Sequence, residues 1–201
     1  VPFAGYEMPV SYAGIKAEHE AVRERVGVFD VSHMGLFYVK GDQAEAFLNK
    51  VTVNNVSKLS DMQVQYSAFC NESGCVVDDI LVYKLSPHNY QLIVNASNIE
   101  KDYAWVVSHN SEGVTIENAS DAMSIIAIQG PKAAEVVEKV CGVSLADVAN
   151  YHAFTAVIDG VELLVGRTGY TGEDGFEFFP KNEDANGIWD TLFEVGAPLG
   201  I

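Results

Sequence analysis

The stretch Arg167-Thr-Gly-Tyr-Thr-Gly-Glu-Asp-Gly-Phe-Glu-Phe178 stands between two apolar runs, Val161–Val165 and Phe176–Phe179. Two such runs joined by a polar, glycine-containing segment predict a β-hairpin with a long connection. Glycines at every third position let the backbone take positive φ angles or approach a bulky group closely. A polar loop held between two buried strands is typical of a functional site, although an acidic, solvated turn would have the same composition.

The loop argues against one kind of site. A phosphate-binding loop has the spacing Gly-x-Gly-x-x-Gly, opens a helix and carries no negative charge at its mouth. Here the spacing is Gly-x-x-Gly-x-x-Gly, two acids lie inside it, and it leads into a strand. We therefore do not expect nucleotide phosphates to bind at this loop.

The composition favours a folded, acidic protein. The chain has 201 residues, 48% of them hydrophobic, and a formal net charge of −16, with a mean hydropathy of +0.09. Such a charge repels nucleic acid and anionic lipid, and the sequence contains no basic patch, so we expect neither partner. No apolar run approaches the roughly 20 residues of a membrane span, and no signal sequence opens the chain.

The three cysteines indicate a reducing compartment. Cys70, Cys75 and Cys141 are an odd number without metal-binding spacing. Cys70 and Cys75 flank the turn Asn71–Gly74, so a disulfide across that hairpin is conceivable, but we do not expect it. The histidines also lack ligand spacing, and we predict no metal site.

The order of elements predicts mainly antiparallel sheets. Val64–Phe69, Val76–Tyr83 and Tyr90–Val94 are joined by short turns and predict a three-stranded meander. A helix is expected to follow, capped at Ser97 or Asn98 and ending near Ser108. Val114–Ile116 and Ser124–Ile128 are then predicted as a strand pair. The remaining helices are expected over Ile15–Val26, Gln43–Val51, Pro131–Val140 and Glu183–Val195.

An internal similarity predicts two related units. A strand followed by Gly41–Val51 resembles a strand followed by Gly130–Val140, and a strand, a polar turn and a returning strand come after each. The predicted fold class is α+β, with two related units of mostly antiparallel sheet and helices packed on one side of each. We assign residues 1–50 and 115–201 to the first unit and residues 51–114 to the second. Each unit would contribute one acid-bearing hairpin to a shared cleft.

Asp78 and Asp79 lie inside an otherwise apolar strand, Val76–Tyr83. Neighbouring residues on a strand point to opposite faces, so at most one of the two carboxylates can share the solvated face. The other must be paired, hydrogen-bonded or directed into a pocket, because burying an isolated carboxylate is costly. A purely structural carboxylate, tied to nearby backbone or a basic group, is the alternative. His33, where helix gives way to strand, could act as a base, but a hydrogen-bonded structural role is the stronger interpretation.

Five motifs resemble one family when taken together in this order: Phe29-Asp-Val-Ser-His-Met-Gly35, Asn71-Glu-Ser-Gly-Cys-Val-Val-Asp-Asp79, Val94-Asn-Ala-Ser-Asn-Ile-Glu-Lys-Asp102, Gln129-Gly-Pro131 and the Arg167–Glu177 loop. The chain resembles the aminomethyltransferases of the glycine cleavage system, the T-proteins. The resemblance implies an enzyme of glycine catabolism and one-carbon metabolism. It would take the aminomethyl group from the lipoyl arm of the H-protein, pass its carbon to tetrahydrofolate and release ammonia. The implied compartment is the bacterial cytoplasm, or the mitochondrial matrix in a eukaryote.

The resemblance also implies site residues. Asp79 matches the family's catalytic aspartate, which orients and electrostatically supports the folate amine. Glu177 and Tyr170 match residues that hold the pterin. Other matching positions line the same pocket in the family: Met34, Tyr66, Leu81, Tyr83 and Asn95.

Two departures from the family qualify this assignment. Cys75 stands where the family usually has a second glycine. The family also continues past Ile201 with an arginine for the folate tail and a β-rich domain, so we expect this piece to bind folate weakly and turn over little. The alternative is a folate-binding module without aminomethyl transfer, of the iron–sulfur maturation branch or the sarcosine and dimethylglycine dehydrogenase type. The iron–sulfur branch typically has Lys-Gly-Cys where this chain has Arg167–Tyr170.

Overall fold

The computed structural model describes residues 1–201. The strands are β1 Pro2–Phe3, β2 Tyr6–Glu7, β3 Gly27–Asp30, β4 Gly35–Lys40, β5 Gln63–Cys70, β6 Val76–Ser86, β7 Asn89–Val94, β8 Thr115–Asn118, β9 Ile126–Gln129, β10 Ala153–Ile158, β11 Val161–Gly166 and β12 Gly175–Phe179. The α-helices are α1 Ile15–Glu24, α2 Ala44–Val51, α3 Ile99–Ser108, α4 Ala133–Cys141 and α5 Asn182–Gly196. No helix is both long enough and apolar enough to cross a membrane.

The chain forms two compact units. The first comprises Val1–His33 and Ala122–Ile201, and the second comprises Met34–Asp121. Each contains a five-stranded antiparallel sheet, which confirms the predicted fold class. The boundaries differ from those expected from the sequence, because residues 34–50 and 115–121 belong to the second unit. The reason is strand pairing: β4 pairs with β7 over six residues and with β8 over four.

The second unit has the strand order β5-β6-β7-β4-β8. The predicted meander is confirmed as β5, β6 and β7. Alternate sheet residues such as Phe37, Val82 and Leu92 pack in one buried cluster with Phe47 of α2 and Val106 of α3. Both helices therefore cover the same face of the sheet, and the intervening residues of each strand point to the opposite face.

The first unit has the strand order β10-β11-β12-β9-β3. Its core joins sheet residues such as Ile128 and Phe178 to Val137 of α4 and Leu192 of α5. β11 and β12 are antiparallel neighbours joined by residues 167–174, so the hairpin predicted from the glycine loop is confirmed.

The two sheets have the same topology when β4, β5, β6 and β7 are matched to β9, β10, β11 and β12. Gly41 and Gly130 have nearly the same backbone angle, φ +129° and +133°, and each lies three residues before a helix. The edge strand of each sheet lies in the sequence next to a strand of the other sheet. β3 directly precedes β4 yet pairs with β9, and β8 precedes β9 yet pairs with β4. The expected pairing of Val114–Ile116 with Ser124–Ile128 is therefore wrong, because those strands belong to different sheets.

Candidate functional site

The two neighbouring acids of β6 lie on opposite faces of the second sheet, as strand geometry requires. Asp78 is 6% exposed, on the face that carries the helices, whereas Asp79 is exposed on the opposite face. This confirms that only one of the two carboxylates is solvated. An exposed carboxylate can reach a ligand without the cost of full burial.

Two neighbouring side chains hold the carboxylate of Asp79. The hydroxyl group of Tyr66 donates to Oδ2 at 2.9 Å, and Nδ2 of Asn95 donates to Oδ1 at 3.0 Å. Strand register explains both contacts. Tyr66 is paired with Leu81 across β5 and β6, and the pairing of Leu81 with Ile93 places residue 95 opposite residue 79. Asn95 Nδ2 also lies 3.1 Å from the main-chain oxygen of Asp79.

The other predicted pocket residues of the second unit follow the same face. Leu81 and Tyr83 come two and four residues after Asp79, so all three point the same way. Tyr66 is 54% exposed, Leu81 is half-buried and Tyr83 is fully buried. Met34 is half-buried just before β4, where Gly35 pairs with Val94, so it lies at the same end of the sheet as Asn95. The structure thus brings Asp79, Asn95, Tyr66 and Leu81 together, with Tyr83 and Met34 at the margins.

Asp78, on the helix-covered face, is bound by three N–H donors. They are the main-chain N and Nδ2 of Asn95, both at 3.0 Å, and Nδ2 of Asn98 at 2.6 Å. Burial by itself would raise the pKa of Asp78, but the hydrogen bonds from Asp102, Asn95 and Asn98 outweigh it and hold the pKa below its usual value. Asp78 is therefore a buried carboxylate that remains ionised.

Asp102 of α3 is the acid beside Asp78, and its side chain has no exposed surface. Burial, and then the hydrogen bond and the charge of Asp78, raise the pKa of Asp102 to about 8. Nζ of Lys101, 3.7 Å from Oδ1 of Asp102, opposes this rise without cancelling it. At neutral pH the pair therefore carries one proton, and Asp102 holds it.

The glycine loop of the first unit closes over the side chain of Gln129, which is 1% exposed. Nε2 of Gln129 donates to the main-chain oxygen of Thr168 at 3.1 Å, and the hydroxyl group of Thr171 donates to Oε1 at 2.9 Å. A Cβ atom at Gly169 would lie 2.0 Å from Oε1, and one at Gly175 would lie 2.2 Å from Nε2. These two glycines are needed for close approach, and only the third, Gly172 at φ +79°, uses positive φ.

The acids of the loop are neutralised within the first unit. Arg167 binds Asp174 through two parallel hydrogen bonds, Nε to Oδ1 at 3.0 Å and Nη2 to Oδ2 at 2.6 Å. Nη1 of Arg23 lies 2.9 Å from Oε1 of Glu173. Asp174, first by its hydrogen bond and then by its charge, raises the pKa of Arg167. Both acidic side chains of the loop are therefore paired with arginines, and these ion pairs hold the loop in place.

The two predicted site residues of the first unit differ in exposure. Glu177 is half-buried in β12 between Ala127 and Gly166, and its Oε2 accepts a 2.5 Å hydrogen bond from the hydroxyl group of Thr168. The side chain of Tyr170 is fully exposed at the tip of the loop. Only Glu177 is thus held in a fixed position by its surroundings.

The side chain of His33 packs against two aromatic rings. Its ring contacts Phe3 and Tyr6 edge-on, with ring centroids 5.5 and 6.4 Å apart, and burial lowers its pKa. All three cysteines are free thiols. No group of three or more His, Cys, Asp or Glu side chains could hold a metal ion.

Sequence reasoning missed several polar residues that build these surroundings. Asp102 left a signal, since positions 99, 102, 103 and 106 share one face of α3 and the other three are apolar. The sequence signal for Gln129 was weaker: it is a polar residue at the end of an apolar strand. Asn98 was expected as a possible helix cap, but its side chain makes no cap hydrogen bond and binds Asp78 instead. Thr168 left no signal, because it lies in a loop where polar residues are ordinary.

Comparison with known proteins identifies the family. Residues 1–201 match the family described as GCVT N-terminal domain. The chain is 52% identical over 202 residues to the aminomethyltransferase of Flavobacterium psychrophilum and 54% identical over 202 residues to that of Chloroherpeton thalassium, matching 100% of this chain and 56% of each relative. It therefore spans little more than half the length of these curated relatives.

Solved structures agree on the fold. The crystal structure of glycine cleavage system aminomethyltransferase T from Bartonella henselae matches with a TM-score of 0.88 and 30% identity, over 96% of this chain and 52% of that one. Heterotetrameric sarcosine oxidase from Corynebacterium sp. U-96 matches with a TM-score of 0.69 and 18% identity, over 92% of each chain, which shows a shared fold alone. The expected resemblance is confirmed: the chain belongs to the GCVT N-terminal domain family.

Proposed function

We propose that the chain is the folate-binding part of an aminomethyltransferase of the glycine cleavage system. The reaction transfers the aminomethyl carbon from the lipoyl arm of the H-protein to tetrahydrofolate and releases ammonia. The observation that carries the proposal is the exposed carboxylate of Asp79, held at both oxygens by Tyr66 and Asn95. Relatives at about 50% identity that are named aminomethyltransferases support it.

Asp79 suits the role of orienting an amine. A carboxylate fixed at both oxygens loses little freedom when a ligand N–H binds, and its negative charge favours the positive charge that develops on an attacking amine. Tetrahydrofolate supplies that amine as co-substrate. Tyr66 and Leu81 offer apolar surface on the same sheet face, which suits a flat ring.

Glu177 suits the pterin end of the co-substrate. The pterin ring is rich in N–H donors, and a half-buried carboxylate already fixed by Thr168 can accept from them. We propose that Tyr170 contacts the pterin from the tip of the loop, where its fully exposed side chain is accessible to a ligand. That the hairpins of the two units share one cleft stays a prediction.

The lipoylated H-protein is the proposed partner, and neither nucleic acid nor membrane is proposed as one. The net charge of −16 disfavours both, and no membrane-spanning helix is present. The free thiols are compatible with a reducing compartment, for which we propose the bacterial cytoplasm.

The test is an Asp79→Asn substitution in the whole natural protein. Ammonia release from aminomethylated H-protein and tetrahydrofolate should fall at least a hundredfold, because the amide lacks the negative charge. Folate affinity, measured by calorimetry, should change less than threefold. Glu72→Gln is the matched control, since Glu72 is an exposed acid in the turn before β6. Unchanged turnover in Asp79→Asn would remove Asp79 from the mechanism, and folate binding without ammonia release in the wild type would favour the non-transferase alternative.

A second measurement concerns these 201 residues alone. They match little more than half of each relative, so we expect them to bind folate more weakly than the whole natural protein and to turn over little. Titrating both with tetrahydrofolate compares the two affinities directly. Equal affinities would show that residues 1–201 contain all the binding determinants.

A further inference from the structure

The buried acids Asp78 and Asp102 are a pair that the proposed reaction does not use directly. They come from different elements, β6 and α3, and each acid shifts the pKa of the other. Neither side chain is accessible enough to touch a substrate, since Asp78 is 6% exposed and Asp102 is fully buried. Two buried carboxyl groups in contact are costly, so their presence calls for a physical account.

The distribution of donors decides which acid holds the shared proton. Asp78 accepts N–H bonds from Asn95 and Asn98, whereas neither oxygen of Asp102 accepts one. A hydrogen bond stabilises the charged form of the acid that accepts it. The N–H donors therefore favour the charged form of Asp78, whereas burial without such donors favours the neutral form of Asp102.

Asn95 connects this buried pair to Asp79 on the opposite face of the sheet. Its single Nδ2 group lies 3.0 Å from Oδ1 of Asp78 and 3.0 Å from Oδ1 of Asp79. One amide thus bridges the inward acid and the outward acid. The orientation of that amide, and with it the position of the Asp79 carboxylate, depends on Asp78 staying fixed.

We propose that the Asp78–Asp102 pair is a positioning device for Asp79: the Asp102 carboxyl group donates to Asp78, which fixes the Asn95 amide that binds the Asp79 carboxylate. The inference rests on the proposed function, because it assigns a purpose to the exact placement of Asp79. It adds two positioning residues, Asp78 and Asp102, behind Asn95 and the candidate catalytic residue Asp79.

The test compares two substitutions of similar size at one position. Asp102→Leu removes the donor, whereas Asp102→Asn keeps a neutral N–H donor in the same place. In the whole natural protein we expect Asp102→Leu to lower kcat about tenfold with KM for tetrahydrofolate within threefold, because ligand binding is kept and the carboxylate is misplaced. Asp102→Asn should recover most of that loss. Glu100→Gln, an exposed acid on the same helix, is the control expected to match wild type.

A spectroscopic signature separates this inference from the proposed function. The side-chain amide resonances of Asn95, assigned by NMR, should shift in Asp102→Leu and stay near wild type in Asp102→Asn. This holds even if the wild type shows no aminomethyl transfer, in which case only the proposed function fails. Should the Leu variant not fold, Asp102→Ala takes its place. Equal behaviour of the Asn variant and the donor-free variant, in both kcat and amide resonances, would overturn the inference.

Discussion

The hydroxyl group of Tyr66 donates a 2.9 Å hydrogen bond to Oδ2 of Asp79, across the β5–β6 pair. Replacing Tyr66 with Phe keeps the ring and removes this donor. In the whole natural protein we expect kcat of the proposed aminomethyl transfer to fall about three- to tenfold, since a net hydrogen bond is worth roughly 0.5–1.5 kcal/mol. Stability should change little, because both side chains are exposed. Steady-state kinetics and a thermal melt check both parts. An unaltered kcat would mean that Asn95 alone positions the carboxylate.

The contact between Gly175 and Gln129 gives a stability prediction. A Cβ atom at position 175 would lie 2.2 Å from Nε2 of Gln129, so Gly175→Ala must displace the buried amide. We expect a loss of about 1–3 kcal/mol in the free energy of unfolding, as for other overpacked sites. Urea unfolding measures it.

Two further variants control for this effect. Gly187, inside α5, has open space around its Cβ position, so Gly187→Ala should stabilise by up to about 1 kcal/mol. In a Gln129→Ala background, Gly175→Ala should cost much less than it does alone. Strict additivity of the two changes would contradict the proposed clash.

The ion pair between Arg167 and Asp174 should stabilise the glycine loop because it is two-pronged and largely buried, with side chains 21% and 30% exposed. Lys cannot reproduce this geometry, so Arg167→Lys should cost about 1–3 kcal/mol in the free energy of unfolding. Lys139 and Glu135 form an exposed pair on α4, and Lys139→Gln should cost less than about 0.5 kcal/mol. Similar losses in both variants, measured by denaturant unfolding, would argue against a special role for the loop pair.

Asp102 predicts a pH dependence of stability. Its pKa is raised from 3.8 to about 8, so the folded protein binds a proton that the unfolded chain releases. The associated stability is complete below about pH 3.8 and is lost as the pH rises through about 8. The lowered pKa of Asp78 acts the opposite way, since its stability is lost only in acid.

The measurement is urea unfolding of wild type and Asp102→Asn at intervals from pH 5 to 8. The stability of the wild type relative to the variant should fall with rising pH, by at most about 1.4 kcal/mol per unit. A difference that stays constant across this range would show that Asp102 does not hold the proton.

Much of the fold could be predicted because its signals are local. Alternating apolar residues and short turns gave the β5–β7 meander, and the run on each side of the glycine loop gave β11 and β12. The repeat of glycine, helix and hairpin predicted two related units. The partners of β3 and β8 could not be predicted, because which sheet an edge strand joins depends on residues far away in the chain.

The sequence by itself determined the class of the fold, the family and the placement of Asp78 and Asp79 on opposite faces, since alternation along a strand needs no distant information. Only the tertiary structure decided that Asp79 is held by Tyr66 and Asn95, that Asp102 keeps the proton beside Asp78, and that Gln129 fills the space above two glycines. Each of these depends on strand register or on the packing of a helix against a sheet. Contacts of that kind join residues far apart in sequence, and burial, which sets the protonation of an acid, exists only once the chain has folded.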